Sequence, residues 1–323
     1  MKSRGPRVSV IIPTFARPLL LPRAIESARA AGTGVEIIVV DDASTDDTSH
    51  VCESIPDIKY VRLERNQGTA GARNVGLLNS TGEYVTFLDD DDLRLPQSID
   101  GQVRTMDDNP GAAFTCGSMI LVDQHYQPTG EITFPQHPSG DVFRQIMELD
   151  FTVMGLSSLI RKECLLRVGL LRRNLKGIDD WDLFVRLAEL FPIVVSTAPV
   201  GIYRKPTARS GQGSSANAAQ LARVARHQLA LLRLPRAKSF STEDRRAIRR
   251  RLVNRIIDVS LWNAGAALRA GELASAWDCF LLALKLNPLR LGRGKVFTNG
   301  LVLVSEKLKR PSRKQNGFKL HRT

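Results

Sequence analysis

Four consecutive carboxylates, Asp89 to Asp92, follow the apolar stretch YVTFL at 84–88. Like charges at the end of a buried strand repel, and low-dielectric walls strengthen the repulsion. The run is therefore either a solvated turn or a place where something positive sits. Asp89 and Asp91 are alternate residues leaving a strand, so both carboxylates can reach one hard cation. Mg2+ or Mn2+ takes oxygen ligands and is commonly held by one or two carboxylates together with substrate phosphates. Of Asp90 and Asp92, one is expected to cap the next segment. A second acidic pair, Asp41-Asp42, ends VEIIVV (35–40). An ionised carboxylate only accepts hydrogen bonds, so Asp42 suits a nucleobase imide N–H or a ribose hydroxyl. Helix capping within DDASTDD is the alternative, and it is the reading for Asp46 and Asp47. A third pair, Asp179-Asp180, opens DDWDLFVRLAEL. The helix dipole favours acids there, and a general base that takes a proton from a hydroxyl is the functional reading. The sequence leaves both open for Asp180. NQGTAGARN (66–74) surrounds Arg73 with small residues. These permit either close approach of a ligand, with Arg73 neutralising a phosphate or an Asp, or tight helix–sheet packing. The spacing is not that of a dinucleotide fingerprint.

These groups need a scaffold that brings strand ends together. VSVII (8–12), VEIIVV (35–40), IKYVRL (58–63) and EYVTFL (83–88) read as strands, alternating with helices over 18–30, to about 54, and within 66–80. That alternation implies a mainly parallel sheet, whose ligands bind outside the carboxyl ends of the strands. Residues 112–123 and 130–134 read as a hairpin or sheet extension, 141–149 and 161–168 as short helices, 179–190 as an amphipathic helix and 191–204 as a last strand region. A Gly/Ser-rich break at 205–219 places a boundary, giving domains 1–215 and 216–323. Beyond it, 241–271 and 272–288 read as helices, the first with Ile248, Leu252, Ile256 and Val259 on one face.

The chain has 323 residues and is 43% apolar, enough for a sizeable core. No apolar run reaches the ~18–20 residues that span a bilayer. The apolar residues before Pro13 read as a strand rather than a signal peptide. Cys52, Cys116, Cys164 and Cys279 are scattered, which points to a reducing, cytoplasmic compartment without disulfides or zinc. The net charge is +13, and it is uneven: residues 216–323 carry 23 Lys and Arg against 6 Asp and Glu, and residues 1–215 carry 23 against 27. The basic part suits an anionic membrane surface, with 299–311 resembling an interfacial helix and the protein peripheral on the cytoplasmic face. An Arg-rich solvated face on packed helices is the equal alternative. Nucleic acid is disfavoured, because the Arg run at 245–255 lacks interleaved aromatics.

Taken in order, VSVIIPTFARP, EIIVVDDASTDDT, NQGTAGARNVGL, GEYVTFLDDDD, RKECLLRVGLL and GIDDWDLFVRLA resemble glycosyltransferase family 2 over roughly residues 7–205. The resemblance implies an α/β fold of the GT-A type: a mixed, mainly parallel sheet sandwiched by helices, here with a C-terminal helical extension. It implies inverting, non-processive transfer of one sugar from a nucleotide-diphosphate donor, with uracil the favoured base, to a hydroxyl of a glycan or lipid-linked acceptor in cell-envelope polysaccharide synthesis. By the same resemblance Pro13, Thr14, Arg17, Asp42, Arg73, Asp89 and Asp90 would bind the nucleotide sugar. Asp91, supported by Asp89, would hold Mn2+ or Mg2+, and Asp180 would be the base. Asp179, Trp181, Lys205 and Arg209 would lie at the acceptor side or the diphosphate. The chain departs from the family's frequent pattern at Phe15-Ala16, at Leu171-Arg172-Arg173, where Phe-Asp-Glu is common, and at Lys205-Pro206-Thr207, where a His often follows. Two rival readings remain: a metal-dependent nuclease or phosphatase, and a catalytically weak nucleotide-sugar-binding scaffold.

Overall fold

A computed structural model describes residues 5–133, 139–150, 153–175, 177–205 and 218–288. Its strands are Val8–Thr14 (β1), Val35–Asp41 (β2), Lys59–Arg62 (β3), Tyr84–Phe87 (β4), Leu93–Arg94 (β5), Phe114–Val122 (β6), Pro128–Thr133 (β7), Ser158–Arg161 (β8) and Val194–Arg204 (β9). They form one sheet in the order β3-β2-β1-β4-β8-β6-β9-β5, with β7 paired to β6. β3, β2, β1 and β4 are mutually parallel. β8 runs antiparallel to both β4 and β6, so β6 points the same way as β4, and β9 is parallel to β6. The carboxyl ends of β2, β1, β4, β6 and β9 therefore share one edge. β1 is buried along its whole length, which explains why Ser9 and Thr14 are its only polar residues.

The helices of the first part are Leu21–Ala30 (α1), Thr48–Ser54 (α2), Gly68–Asn79 (α3), Ser98–Asp107 (α4), Phe143–Met147 (α5), Lys162–Val168 (α6) and Asp179–Leu190 (α7). α1 buries Leu21, Ala24, Ile25 and Ala28, a stripe at i, i+3, i+4 and i+7. It starts three residues after Pro18, with a turn over 18–20. α3 lies directly on β1: a Cβ at Gly76 would stand 2.3 Å from Ile11 Cγ2. The small residues of 68–76 thus serve packing at Gly76, while Arg73 on the same helix serves the site described below. The sequence reading lacked α4, β5 and β8. β5 has two residues and β8 four, too short for a periodic signal.

Packing divides the chain into two units, Met1–Gly213 with Leu229–Ile248, and Ser214–Gln228 with Arg249–Thr323. Ala218–Ala230 (α8), Pro235–Lys238 (α9), Thr242–Arg269 (α10) and Leu273–Leu286 (α11) follow the sheet in sequence. α10 and α11 are the two expected helices, broken at Gly271, whose φ is +77°. The second unit has its own small core of Leu221, Ala264 and Cys279, joined by Val259 and Leu282. Residues 299–311 lie outside the described residues.

Candidate active site

The shared edge of the sheet gathers the acids. Thr14, at the end of β1, donates its hydroxyl to Asp90 Oδ2 at 2.8 Å. Past the turn at Ala16 (φ 53°), Arg17 Nη1 donates to Asp90 Oδ1 at 2.8 Å and pairs with Asp91 Oδ2 at 2.9 Å. The end of β9 supplies Arg204: its backbone N–H donates to Asp92 Oδ1 at 2.8 Å, and its Nη1 is 3.6 Å from Asp91 Oδ2. Tyr126, in the turn between β6 and β7, donates its hydroxyl to the Asp91 carbonyl at 3.0 Å. Its ring receives the guanidiniums of Arg23 at 3.9 Å and Arg204 at 5.5 Å.

Arg73 joins this cluster to the start of α7. Its Nη2 donates to Asp89 Oδ1 at 2.6 Å, its Nη1 stands 3.7 Å from Asp179 Oδ2, and its guanidinium lies 5.4 Å from the Phe87 ring centre. Arg73 is 7% exposed. Against the cost of burial, Asp89, Asp179 and Asp180 hold it firmly protonated. Arg73 Nε and Asp179 Oδ2 are buried without a hydrogen-bond partner among the described residues. Asp180 is half-buried in the first turn of α7 and accepts the Trp181 N–H at 2.8 Å. Burial, then the adjacent Asp179 charge, push its carboxyl up to about 6, and Arg73 opposes them. Burial likewise pushes Asp90 up to about 6 against Arg17. Asp91 and Asp179 are raised for the same first reason. Asp92 rises well above the usual range through burial and then Asp89. A crowd of buried carboxylates of this kind is commoner at functional sites than in ordinary cores.

The other residues singled out in the sequence are placed as follows. Pro13 is buried in β1 opposite Val40. The Asp42 carboxylate, 4% exposed, accepts the N–H groups of Gln67 at 2.6 Å and Gly68 at 2.8 Å, so it closes the start of α3. Burial raises its carboxyl against those two bonds. Asp46 takes the Thr48 N–H at 3.1 Å, the capping expected of it. Asp41 accepts the Ser44 N–H at 2.8 Å and the Tyr60 hydroxyl at 2.9 Å. Beside this strand end lies an open depression of about 390 Å3, lined by Ala43, Ser44, Thr45, Arg62, Leu63 and Glu64. Trp181 is 6% exposed, and its indole N–H bonds the Ile146 carbonyl at 3.1 Å, which ties α7 to α5. Lys205 pairs with Glu131 at 2.7 Å on β7. Arg209 lies outside the described residues. Arg204 and Tyr126 were not expected at the site. No local spacing connects Arg204 to Asp91 and Asp92, or Tyr126 to Asp91.

The donor set fits a hard divalent ion. All candidate ligands are carboxylate oxygens, and the charge of Asp89 adds to burial in raising the carboxyls of Asp91 and Asp92, a repulsion that a cation relieves. Asp89 and Asp91 would hold it. Among the described residues, no three His, Cys, Asp or Glu side chains are already assembled as a metal cage.

The model of the glycosyl transferase family 2 matches residues 9–168. An uncharacterized glycosyltransferase of Haemophilus influenzae is 27% identical over 186 residues, covering 56% of this chain and 62% of that one. The chain spans 62% or less of the length of the first curated relatives it matches. The crystal structure of S. aureus TarS 1-349 in complex with UDP-GlcNAc superposes with a TM-score of 0.58 at 18% identity, covering 88% of this chain and 92% of that one. The mannosyltransferase PcManGT of Pyrobaculum calidifontis, in complex with GDP-Man and Mn2+, superposes with a TM-score of 0.51 at 19% identity, covering 95% and 81%. Both likenesses show the GT-A fold.

Proposed function

From its membership of glycosyl transferase family 2, carried by residues 9–168, we propose that this chain is a metal-dependent inverting glycosyltransferase that moves one sugar from a nucleotide-diphosphate donor to a hydroxyl acceptor. One observation carries the reading: the ends of β1, β4 and β9 and the start of α7 meet in a single ion network around Asp89 to Asp92, Asp179 and Asp180. The nucleoside end belongs beside Pro13, Thr14 and the depression at 43–45, and a UDP-sugar is the donor class we favour. Asp89 and Asp91 would hold the divalent ion, which when bound stabilises negative charge on the departing diphosphate. Arg17 and Arg73 keep these carboxylates in place, and their guanidiniums would offer N–H groups to the phosphates. Asp180, near 6, is ionised at neutral pH yet basic enough to accept a proton. The acceptor hydroxyl gives its proton to the Asp180 carboxylate as its oxygen attacks the anomeric carbon. The bond to the diphosphate oxygen breaks, and its electron pair leaves with the diphosphate. Attack from the face opposite the leaving group inverts the anomeric centre.

Asp180→Asn tests the reading. It is expected to keep donor binding, followed by thermal shift across nucleotide diphosphates with Mn2+ and Mg2+, and to lose transfer. Wild-type transfer by this variant would remove Asp180 as the base. Nucleotide binding without turnover on any acceptor would favour the scaffold, and DNA hydrolysis lost in Asp91→Ala would favour the nuclease.

A peripheral membrane location is part of the proposal. No helix among the described residues is long and apolar enough to cross a membrane. Within the second unit, Trp262, Leu268, Leu273 and Trp277 are 56–70% exposed, on helices whose sequence also carries Arg249, Arg250, Arg251 and Arg255. Exposed Trp and Leu beside basic residues suit the headgroup zone of an anionic bilayer. Flotation with phosphatidylglycerol vesicles should fall in a Trp262→Ser/Trp277→Ser variant, and unchanged flotation would count against this location.

A further inference from the structure

The turn between β6 and β7 carries an aromatic residue where its backbone favours a glycine. The Asp123 N–H donates to the Gln127 carbonyl at 2.9 Å, and the Tyr126 N–H to the Asp123 carbonyl at 3.1 Å. The Asp123 carboxylate takes the N–H groups of His125 at 2.8 Å and Gln127 at 2.9 Å. This tight reversal sets Tyr126 in the left-handed region, at φ 62°. Glycine and asparagine adopt that conformation readily, and a bulky side chain adopts it at a cost. Such an outlier points to what the side chain does.

The Tyr126 hydroxyl donates to the Asp91 carbonyl at 3.0 Å, 35 residues back in the chain. Its ring lies 3.9 Å from the guanidinium of Arg23 on α1 and 5.5 Å from that of Arg204 at the end of β9. The turn holds Arg204 a second time, because the Gln124 carbonyl accepts Arg204 Nε at 3.0 Å. Arg204 Nη1 in turn stands 3.6 Å from Asp91 Oδ2. The β6–β7 turn therefore reaches Asp91 at two points: Tyr126 holds its carbonyl, and Arg204 meets its carboxylate. Asp91 sits in a tight turn of its own, in which the Asp92 N–H donates to the Asp89 carbonyl at 3.0 Å. Fixing the Asp91 carbonyl fixes the backbone dihedral next to its Cβ, and so the direction in which its carboxylate leaves the chain. A metal ligand tolerates little error in that direction, and the groups that orient a ligand affect affinity strongly.

Resting on the transferase reading, we propose that Tyr126 is a positioning residue for the divalent ion: its hydroxyl, by holding the Asp91 carbonyl, aims the Asp91 carboxylate at the ion. The test reads the ion rather than the reaction. Mn2+ is titrated into the full chain in the presence of UDP and followed by the electron paramagnetic resonance signal of free Mn2+, with the Mn2+ held by UDP alone subtracted. UDP affinity is measured separately at saturating Mn2+. Tyr126→Phe keeps the ring beside both arginines and removes only the hydroxyl. It should bind Mn2+ about ten-fold more weakly and keep UDP affinity within two-fold. His125→Ala, an exposed position in the same turn, should match wild type in both measurements; urea unfolding verifies that each variant is folded. Wild-type Mn2+ affinity in Tyr126→Phe overturns the proposal. An equal loss in His125→Ala also overturns it, because the turn as a whole rather than the hydroxyl would then set the affinity. A fall in UDP affinity at saturating Mn2+ in Tyr126→Phe overturns it as well and gives the hydroxyl to the nucleotide. A wild-type protein that takes up no Mn2+ with UDP fails at the earlier step, the metal-dependent transferase reading itself.

Discussion

Asp180→Asn is expected to stabilise the protein while removing its activity. Burial and Asp179 push the Asp180 carboxyl up to about 6 in the folded state, whereas an unfolded chain titrates it near ~3.9. The folded state therefore keeps a proton that the unfolded state has released. The carboxyl costs the fold nothing below pH ~4; its penalty grows as pH rises through ~4 to 6 and levels off above that. Two pK units set a plateau of about 3 kcal/mol, and linkage gives about half of it already at pH 5, so the penalty widens by roughly 1 kcal/mol between pH 5 and pH 8. Asp180 is half-buried, and its bond with the Trp181 N–H is weaker when made by an amide, so both figures shrink. The variant should exceed wild type by about 2 kcal/mol at pH 8 and about 1 kcal/mol at pH 5. Urea unfolding of the full chain in EDTA at the two pH values reads this directly, provided the slopes agree. Parallel stability curves for variant and wild type from pH 5 to pH 8, or a variant less stable at pH 8, would refute the assignment of an unfavourably buried charge to Asp180.

Arg73→Met leaves Asp89 and Asp179 facing each other without their shared cation. Unfolding stability should fall by about 3–5 kcal/mol at pH 8 and by less at pH 5, because burial raises the Asp179 carboxyl and favours its neutral form; an equal loss at both would contradict this. Gly76→Ala drives a methyl into Ile11, 2.3 Å away, and should cost about 1–3 kcal/mol in urea denaturation. A neutral result would mean that α3 can lift off β1. Asp91→Ala should abolish the part of the nucleotide-induced thermal shift that depends on Mn2+, and an intact metal-dependent shift would move the ion to other ligands.

The parallel half of the fold is legible because β1, β4 and most of β2 are buried on both faces. VSVII and VEIIVV are apolar except for Ser9 and Glu36 near their starts, and they end at Pro13 and at Asp41-Asp42. The acids at those ends are legible for the same reason, since a carboxylate at the end of a buried strand must answer to something. α4 was harder: Ile99, Val103 and Met106 keep helical spacing, but Asp100 and Gly101 interrupt it near the start. Partnerships at long range were not legible. Asp42 closes a helix whose first residue lies 26 positions on, and Asp92 meets Arg204 across 112 positions. No local propensity encodes such distances; they follow from sheet order, which places β9 beyond β8 and β6 from β4.

That placement of β9 has a consequence for how the molecule comes into being. Strands β1, β2, β3 and β4 join through short crossovers and can zip together early, because neighbouring segments collide often. The carboxylates at residues 91 and 92 then wait for a clasp delivered by the last strand of the sheet. A chain still being synthesised, or clipped before residue 204, would hold a half-finished cradle whose charges push apart. Competence to hold a ligand there arrives late in biogenesis, and it certifies that the first unit's sheet has been threaded to its end.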